Sequence, residues 1–428
     1  MEYSYISDLR SGKSSGTVKV RGWVQDIRRL KNVDFIILRD HTGTAQVTVK
    51  KSAGSLGVDP GAINRESVIE VEGENVQNSI SKTGTEILAN RINVINSSMA
   101  PLPLPVTDPV EADIETRLNN RFLDLRKPHI HHIFEAESEL MWGIRKFLHG
   151  EKFVEVHTPK VVAAATEGGA DLFGVKYFEM EAYLNQSPQL YKEILISSGF
   201  NRVFEVGPAF RAEKHNTVRH LNEFTSVDIE MAFSDHNDAM SMLERAVKSG
   251  IGSMKSAMDD RVELISKIET PSLPFPRITY RKCIDVLHDS NEDLEFGLDF
   301  TPEQLKIIGD RFEGFYFITE WPSTVRPFYT MINQQDESIT NSFDLQYKDK
   351  EITSGAQRVH DPVLLEKRFR NKGLNPKDFE FYLNAFRFGM PPHAGWGLGL
   401  ERLTMILLDL KNIRETSLFP RDRTRLVP

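Results

Sequence analysis

The sequence predicts an α+β chain in two domains: a small five-stranded barrel, then a larger unit in which a mainly antiparallel sheet is flanked by helices. Three observations carry that expectation. Residues 1–97 hold five β-branched, alternating runs with one short helical segment after the third. Ser97 to Pro109, "SSMAPLPLPVTDP", sets four prolines in nine positions, which precludes a helix or central strand and favours a stiff extended linker. Beyond it, strand-like runs recur with polar turns and few crossover helices, which argues against a doubly wound parallel fold. The expected division is therefore 1–97, a linker over 98–112, and 113–428. With 428 residues and 40% hydrophobic content, a substantial core is available to two or three domains.

Taken in order, strands are expected near Thr17–Ile27, Asp34–Arg39, Ala45–Val49, Val68–Asn75 and Glu86–Val94, bounded by Gly, Asn and Ser turns. A short helix around Pro60–Arg65 falls between the third and fourth. Five strands with a helix after the third is the pattern of an OB-fold, a barrel whose sheet face often grips single-stranded nucleic acid. After the linker, "HHIFEAESELMWGIRKFLHG" has helical periodicity, with Ile133, Leu140, Ile144 and Phe147 on one face. It leads into "FVEVHTP", a strand ended by Pro159. Further strands are expected in "RVFEVGPAF", "EFTSVDIEMAF", "FYFITEW", "TNSFDLQYK" and "EITSGAQRV". The glycines of "GWGLGLERL" are spaced G-x-G-x-G rather than G-x-G-x-x-G, and only about thirty residues follow, so a dinucleotide-binding unit is rejected.

Net charge is −8, yet it is unevenly spread: residues 1–100 carry 13 Lys+Arg against 11 Asp+Glu, while 101–428 carry 40 against 50. A local basic patch is enough to hold a phosphate backbone, so nucleic acid is not excluded as a partner. The single cysteine, Cys283, excludes an internal disulfide framework and a cysteine-rich zinc site, and reads as a small buried hydrophobe. No run of about 18 apolar residues could span a bilayer, and "MEYSYISDLR" lacks a signal-peptide pattern, so a cytoplasmic protein is expected.

One stretch is costly to fold unless it faces something: "FRAEKHNTVRHLNEF", Phe210 to Phe224, is strongly polar between two apolar-rich runs. "FVEVHTPKV" looks like motif 1 of class II aminoacyl-tRNA synthetases, "FRAE" with "RHLNEF" resembles motif 2, and "GWGLGLERL" resembles motif 3. An OB-fold ahead of this unit is the arrangement of the aspartate, asparagine and lysine subgroup, subclass b. "QSPQLYK", "RPFYTM" and "SGAQRVHDP" make the chain similar to aspartyl-tRNA synthetases over nearly its whole length. It lacks the large domain that bacterial members insert between motifs 2 and 3, and so resembles the compact archaeal type.

The resemblance implies activation of L-aspartate by ATP and transfer of the aminoacyl group to the terminal ribose of tRNA-Asp, with tRNA-Asn an open second acceptor. Such chemistry asks for positioning and charge neutralisation rather than a protein nucleophile, hence a site dense in arginine and carboxylate. By resemblance, Arg211 would hold the α-phosphate through its guanidinium fork. Glu213 would accept from the adenine amino group, Phe224 would stack on the base and His220 would reach the γ-phosphate. Arg402, beside Gly399, would clamp the nucleotide from the other side, with Gly395, Gly397 and Gly399 packing that helix close to the sheet. Glu351 and Ser354, with Asp344 nearby, match magnesium ligands, and hard oxygens suit Mg²⁺. Arg358 and Lys192 match residues that bind the β-carboxylate, while Glu167, Ser187, Gln189 and Asp228 match those around the ammonium and the lysine. In the barrel, Arg28, Phe35, Gln46 and Glu86 match anticodon contacts, where flipped bases need an aromatic platform and polar edges. Motif 1 implies a homodimer held by the helix from His131 to Leu148 and the strand ending at Pro159. An asparaginyl enzyme and a non-catalytic RNA-binding paralogue remain alternatives.

Overall fold

A computed structural model describes residues 2–51, 57, 59–77, 84–107, 112–163, 172–214, 217–258, 265 and 267–428. They form two compact units, Met1–Lys127 and Pro128–Pro428. In the first, strands β1 (Gly16–Arg29), β2 (Val33–Asp40), β3 (Gly43–Lys50), β4 (Val68–Gln77) and β5 (Thr85–Asn96) close a barrel in the order β1-β2-β3-β5-β4. Period-two alternation turns Val18, Val20, Val24, Ile36, Leu38, Val47, Ile69, Val71 and Ile87 into its core. The long β1 bends through a bulge between Val24 and Asp26. Closure also needs Gly22 and Gly73, since a Cβ on either would collide with the carbonyl oxygen of Arg39 or Leu88.

The expected helix near Pro60–Arg65 is a single 3₁₀ turn, Pro60–Ala62. A helix that the sequence reading passed over, Ile6–Arg10, buries Ile6 and Leu9 in the barrel core. The proline-rich segment is anchored rather than free: Leu104 and Val106 pack with Leu123. Nearby, Glu66 is 4% exposed and receives Arg39 on both carboxylate oxygens (3.2 and 2.9 Å) and Arg126 on one (2.9 Å).

The second unit is organised by an eight-stranded sheet in the order β12-β13-β14-β15-β16-β11-β10-β6. Its strands are β6 (Val154–Glu155), β10 (Arg202–Phe210), β11 (Glu223–Ala232), β12 (Arg277–Thr279), β13 (Phe315–Thr319), β14 (Ser342–Tyr347), β15 (Lys350–Gln357) and β16 (His393–Gly399). Only the outermost pairings, β10 with β6 and β12 with β13, are parallel, as the scarcity of crossover helices in the sequence implies. A small second sheet joins β7 (Val161–Val162), β9 (Met180–Leu184) and β8 (Gly174–Tyr177). The long helices Pro128–Gly150 and His236–Met258 cross where Gly143 meets Gly250, with no room for a Cβ on either. Cys283 is buried in the apolar cluster beneath β13, which pushes its thiol up to about 12. Among the described residues, no helix is long and apolar enough to cross a membrane.

Candidate active site

A cavity of about 200 Å³ opens on one face of the large sheet. Its floor follows from strand periodicity. On β11, Phe224, Ser226 and Asp228 line the cavity while Val227, Ile229 and Met231 turn into the core behind. On β16, Gly395, Gly397 and Gly399 stand opposite Glu230, Asp228 and Ser226, with Trp396 and Leu398 buried on the reverse face. The role of these glycines therefore differs from helix packing. A Cβ on Gly395 would overlap the Ile229 carbonyl and the Glu230 carboxylate, and one on Gly397 would press on Asp228, so the bare backbone makes space for two buried carboxylates.

Those carboxylates hold cations brought from distant segments. Lys192, on the helix Gln189–Ser197, donates to Asp228 Oδ1 (2.9 Å) and the Trp396 carbonyl (3.3 Å), and lies 3.5 Å from Glu230 Oε2. Arg358, just past β15 and 4% exposed, donates from Nε and Nη2 to Glu230 (3.1 and 3.3 Å) and reaches the cavity wall. Burial opposes its charge, but Glu230 and Glu193 more than offset that and raise its pKa. Ser226 Oγ donates to Asp228 Oδ2 (2.5 Å), and Ser187 and Gln189 complete this end. Lys192 itself sits behind Asp228 rather than in the lining. Glu167 lies outside the described residues.

The other end of the cavity is open and cationic. Arg211 leaves β10 with its backbone pinned to Asn222: Arg211 N donates to Asn222 O (2.9 Å), and Asn222 Nδ2 to Arg211 O (2.8 Å). Its exposed guanidinium lies 5.6 Å from the Phe224 ring centroid. Glu213, Arg219, His220 and Arg402 share the lining. Arg402, on the helix Leu400–Leu407, donates to the Glu351 carbonyl (3.0 Å), and Arg219 to Asp349 (2.8 Å). Partial desolvation, then the Arg402 charge, lowers the His220 imidazole below its usual value. Beside Phe224, both carboxylate oxygens of Glu401 receive the Thr225 amide (2.8 and 3.0 Å), which ties this helix to β11.

Between the two ends, Glu351 and Ser354 face the cavity, and Ser354 Oγ donates to Asp344 Oδ1 (2.6 Å). The other Asp344 oxygen accepts from Arg326 (2.6 Å). Burial first, and the Glu351 charge next, push Asp344 up to about 6 against the pull of Arg326. Among the described residues no three His, Cys, Asp or Glu side chains gather into a metal cage. What remains, one open carboxylate with a hydroxyl beside it, fits a Mg²⁺ ion that completes its shell with water and phosphate oxygens.

In the barrel, strand register sets the four expected residues on one face. Arg28 stands across from Phe35, Phe35 from Thr48, and Gln46 from Glu86. Gln46 Nε2 donates to Glu86 Oε1 (3.3 Å), which Thr48 also contacts. Phe35 is half-buried, between the buried residues Asp34 and Ile36.

Residues 113–423 match the family of class II tRNA synthetases for D, K and N, and residues 18–95 match the OB-fold nucleic acid binding domain. The chain belongs to the class II tRNA synthetases. The aspartate–tRNA(Asp) ligase of Thermoplasma acidophilum is 62% identical over 100% of both chains. The aspartate–tRNA(Asp/Asn) ligase of Methanocaldococcus jannaschii is 48% identical over 99% of this chain and 98% of that one. Among solved structures, asparaginyl-tRNA synthetase of Pyrococcus horikoshii with asparaginyl-adenylate superposes at a TM-score of 0.93, with 32% identity and 100% of each chain covered. In this chain the OB-fold match precedes the synthetase match, an order that was legible in the sequence. Sequence reasoning missed Ser226, Glu230, Arg219 and Arg326 as parts of this candidate site. The alternation running through Phe224, Ser226, Asp228 and Glu230 could have found the first two.

Proposed function

We propose that the chain is an aspartate–tRNA ligase. A carboxylate oxygen of L-aspartate attacks the α-phosphorus of ATP, the bond to the β-phosphate oxygen breaks and pyrophosphate leaves. A terminal ribose hydroxyl of tRNA then takes the aspartyl group and AMP departs. Arg211 and Arg402 face the phosphates from two sides and neutralise charge that grows on them. Phe224 offers a stacking face, Glu213 an acceptor for the adenine amino group, and His220 a contact for the outer phosphate. Glu351 and Ser354, with Asp344 behind, would hold Mg²⁺, which would supply neutralisation of phosphate charge. At the far end Arg358 takes the β-carboxylate, with Lys192 reinforcing it through Asp228 and Glu230. Ser187, Gln189 and Asp228 would accept from the ammonium, as their place in the cavity lining supports.

The observation that carries aspartate over asparagine is Arg358, a 4%-exposed guanidinium at the cavity wall. Glu230 holds its Nε and Nη2, and a substrate carboxylate in reach of the same guanidinium makes a charge-assisted bond that a neutral amide does not match in a desolvated site. The barrel face of Arg28, Phe35, Gln46 and Glu86 would read the anticodon. A two-fold dimer through motif 1 is supported by exposed Trp142, Val154 and Val161 on that helix and the strands after it. The division 1–97, 98–112 and 113–428 and a cytoplasmic location belong to the same reading.

Charging of tRNA-Asp and tRNA-Asn transcripts with labelled aspartate and asparagine tests it. Aspartate on tRNA-Asp is expected, and no aspartyl product on either transcript would overturn the assignment. Aspartate on both at similar rates is the second reading, which the names of the relatives at 44–48% identity favour.

A further inference from the structure

Behind the amino-acid end lies a buried network that the proposed chemistry does not touch. His393, at the start of β16, is 0% exposed, and its two ring nitrogens each meet an acceptor. Nδ1 is 2.9 Å from the Pro391 carbonyl, which can only accept, so Nδ1 carries a hydrogen. Nε2 is 2.9 Å from Glu193 Oε2, which also takes the Tyr382 hydroxyl at 2.9 Å. Glu193, likewise 0% exposed, gives its other oxygen to Gln189 Nε2 at 2.7 Å. The charged and titratable groups around the pair are Arg358, Glu230, Tyr382 and His360.

A proton on both ring nitrogens satisfies all of these contacts at once. It also balances charge: among the described residues, the linked side chains Lys192, Arg358 and His393 then oppose Asp228, Glu230 and Glu193. Burying an uncompensated carboxylate here would be costly, whereas a closed set of pairs is not. Burial raises Glu193, but the His393 bond and charge, Arg358 and the Gln189 amide together hold it below its usual value.

We propose that His393 and Glu193 form an imidazolium–carboxylate positioning pair that decides which end of the Gln189 amide faces the substrate ammonium. Because Glu193 consumes the Nε2 donor, the end left for the cavity is the carbonyl oxygen, an acceptor suited to an ammonium and unsuited to an anion. The pair acts through Gln189 and touches no substrate. The inference rests on the proposed reading in which Gln189 lies beside the amino acid's ammonium.

Two measurements test it. In protein labelled with ¹⁵N at histidine, long-range correlation spectra at pH 8 should show one imidazole with both nitrogens protonated, as two acceptors at its ring nitrogens require. Loss of that signal in His393→Gln assigns it, and a neutral tautomer there overturns the proposal. In amino-acid-dependent ATP–pyrophosphate exchange, Glu193→Gln should raise KM for aspartate about tenfold, with KM for ATP and kcat within about twofold, the size of one misdirected buried hydrogen bond. A purely structural role would lower the amount of active protein and leave KM unmoved, which would overturn the proposal. Should Glu193→Gln fail to fold, Tyr382→Phe removes one donor from the same carboxylate and should raise that KM about threefold; an unchanged value overturns it equally. Native protein that exchanges with neither aspartate nor asparagine defeats the ligase reading instead, so the two failures are told apart.

Discussion

The two ends of the cavity use positive charge in opposite ways. At the end proposed for the amino acid, Lys192 and Arg358 are buried and held by the buried carboxylates Asp228 and Glu230. At the end proposed for the nucleotide, Arg211 is exposed and Arg402 is half-buried, and both line the cavity. The difference teaches a division of labour. Phosphates are large, strongly charged and reached through water, so adaptable cations serve. Discriminating a carboxylate from an amide needs a dry, prearranged field in which a mismatch finds no solvent to soften it.

The comparison can be broken most easily at its buried side. Arg358→Leu should lower kcat/KM for aspartate in the exchange reaction by at least about 10³-fold. It should also destabilise the catalytic unit by about 3 kcal/mol, because buried Glu230 loses both guanidinium bonds and keeps only Lys192 at 3.5 Å. Thermal unfolding reads the second effect, and an Arg358→Leu, Glu230→Leu double variant should recover part of it without regaining activity. Next in size, Arg402→Ala should reduce kcat about 10²–10³-fold with a far smaller change in melting temperature than Arg358→Leu, since its contribution lies in neutralising developing charge. Equal stability losses in the two variants would erase the distinction.

A smaller effect is expected in the barrel. Phe35→Ala should raise KM for tRNA in the charging reaction about tenfold and leave pyrophosphate exchange unchanged, as removal of one stacking platform predicts. An altered exchange rate would place Phe35 in the core rather than at the RNA.

The smallest effect probes what backs the end proposed for the nucleotide. Glu137, on the long helix Pro128–Gly150, turns toward Thr404 and Glu401, and burial first, then the Glu401 charge, push it up to about 8. Its folded value thus lies above the unfolded value of 4.5, so its contribution to stability is fully present below 4.5 and is lost as pH rises through 8. Glu137→Gln, which mimics the neutral form, should raise the melting temperature by about 2–4 °C above pH 8 and leave it unchanged near pH 4.5. A rise at both pH values would assign the effect to packing instead of charge.

What the sequence made legible follows the range of the interactions involved. Strands such as Arg202–Phe210 and Glu223–Ala232 were readable because their alternation is local and their ends carry turn residues. The helix Ile6–Arg10 was missed because five residues barely make a period, leaving the Ile6 and Leu9 spacing as its one signal. Within the cavity, the charged residues could be named from motif resemblance, but their partners could not. His393 lies 200 positions from Glu193 and Arg358 128 from Glu230, and nothing local in either sequence announces the other. The three glycines of β16 show the same limit. Their spacing is visible, but that they clear space for Asp228 and Glu230 depends on which strand pairs with them.

The central claim is that a buried, prearranged set of charges at one end of the cavity selects an acidic amino acid. Its most direct test is ATP–pyrophosphate exchange by the native protein with aspartate and asparagine in parallel. The account predicts exchange with aspartate and a kcat/KM for asparagine lower by at least about 10²-fold. Exchange supported equally well, or better, by asparagine would contradict it.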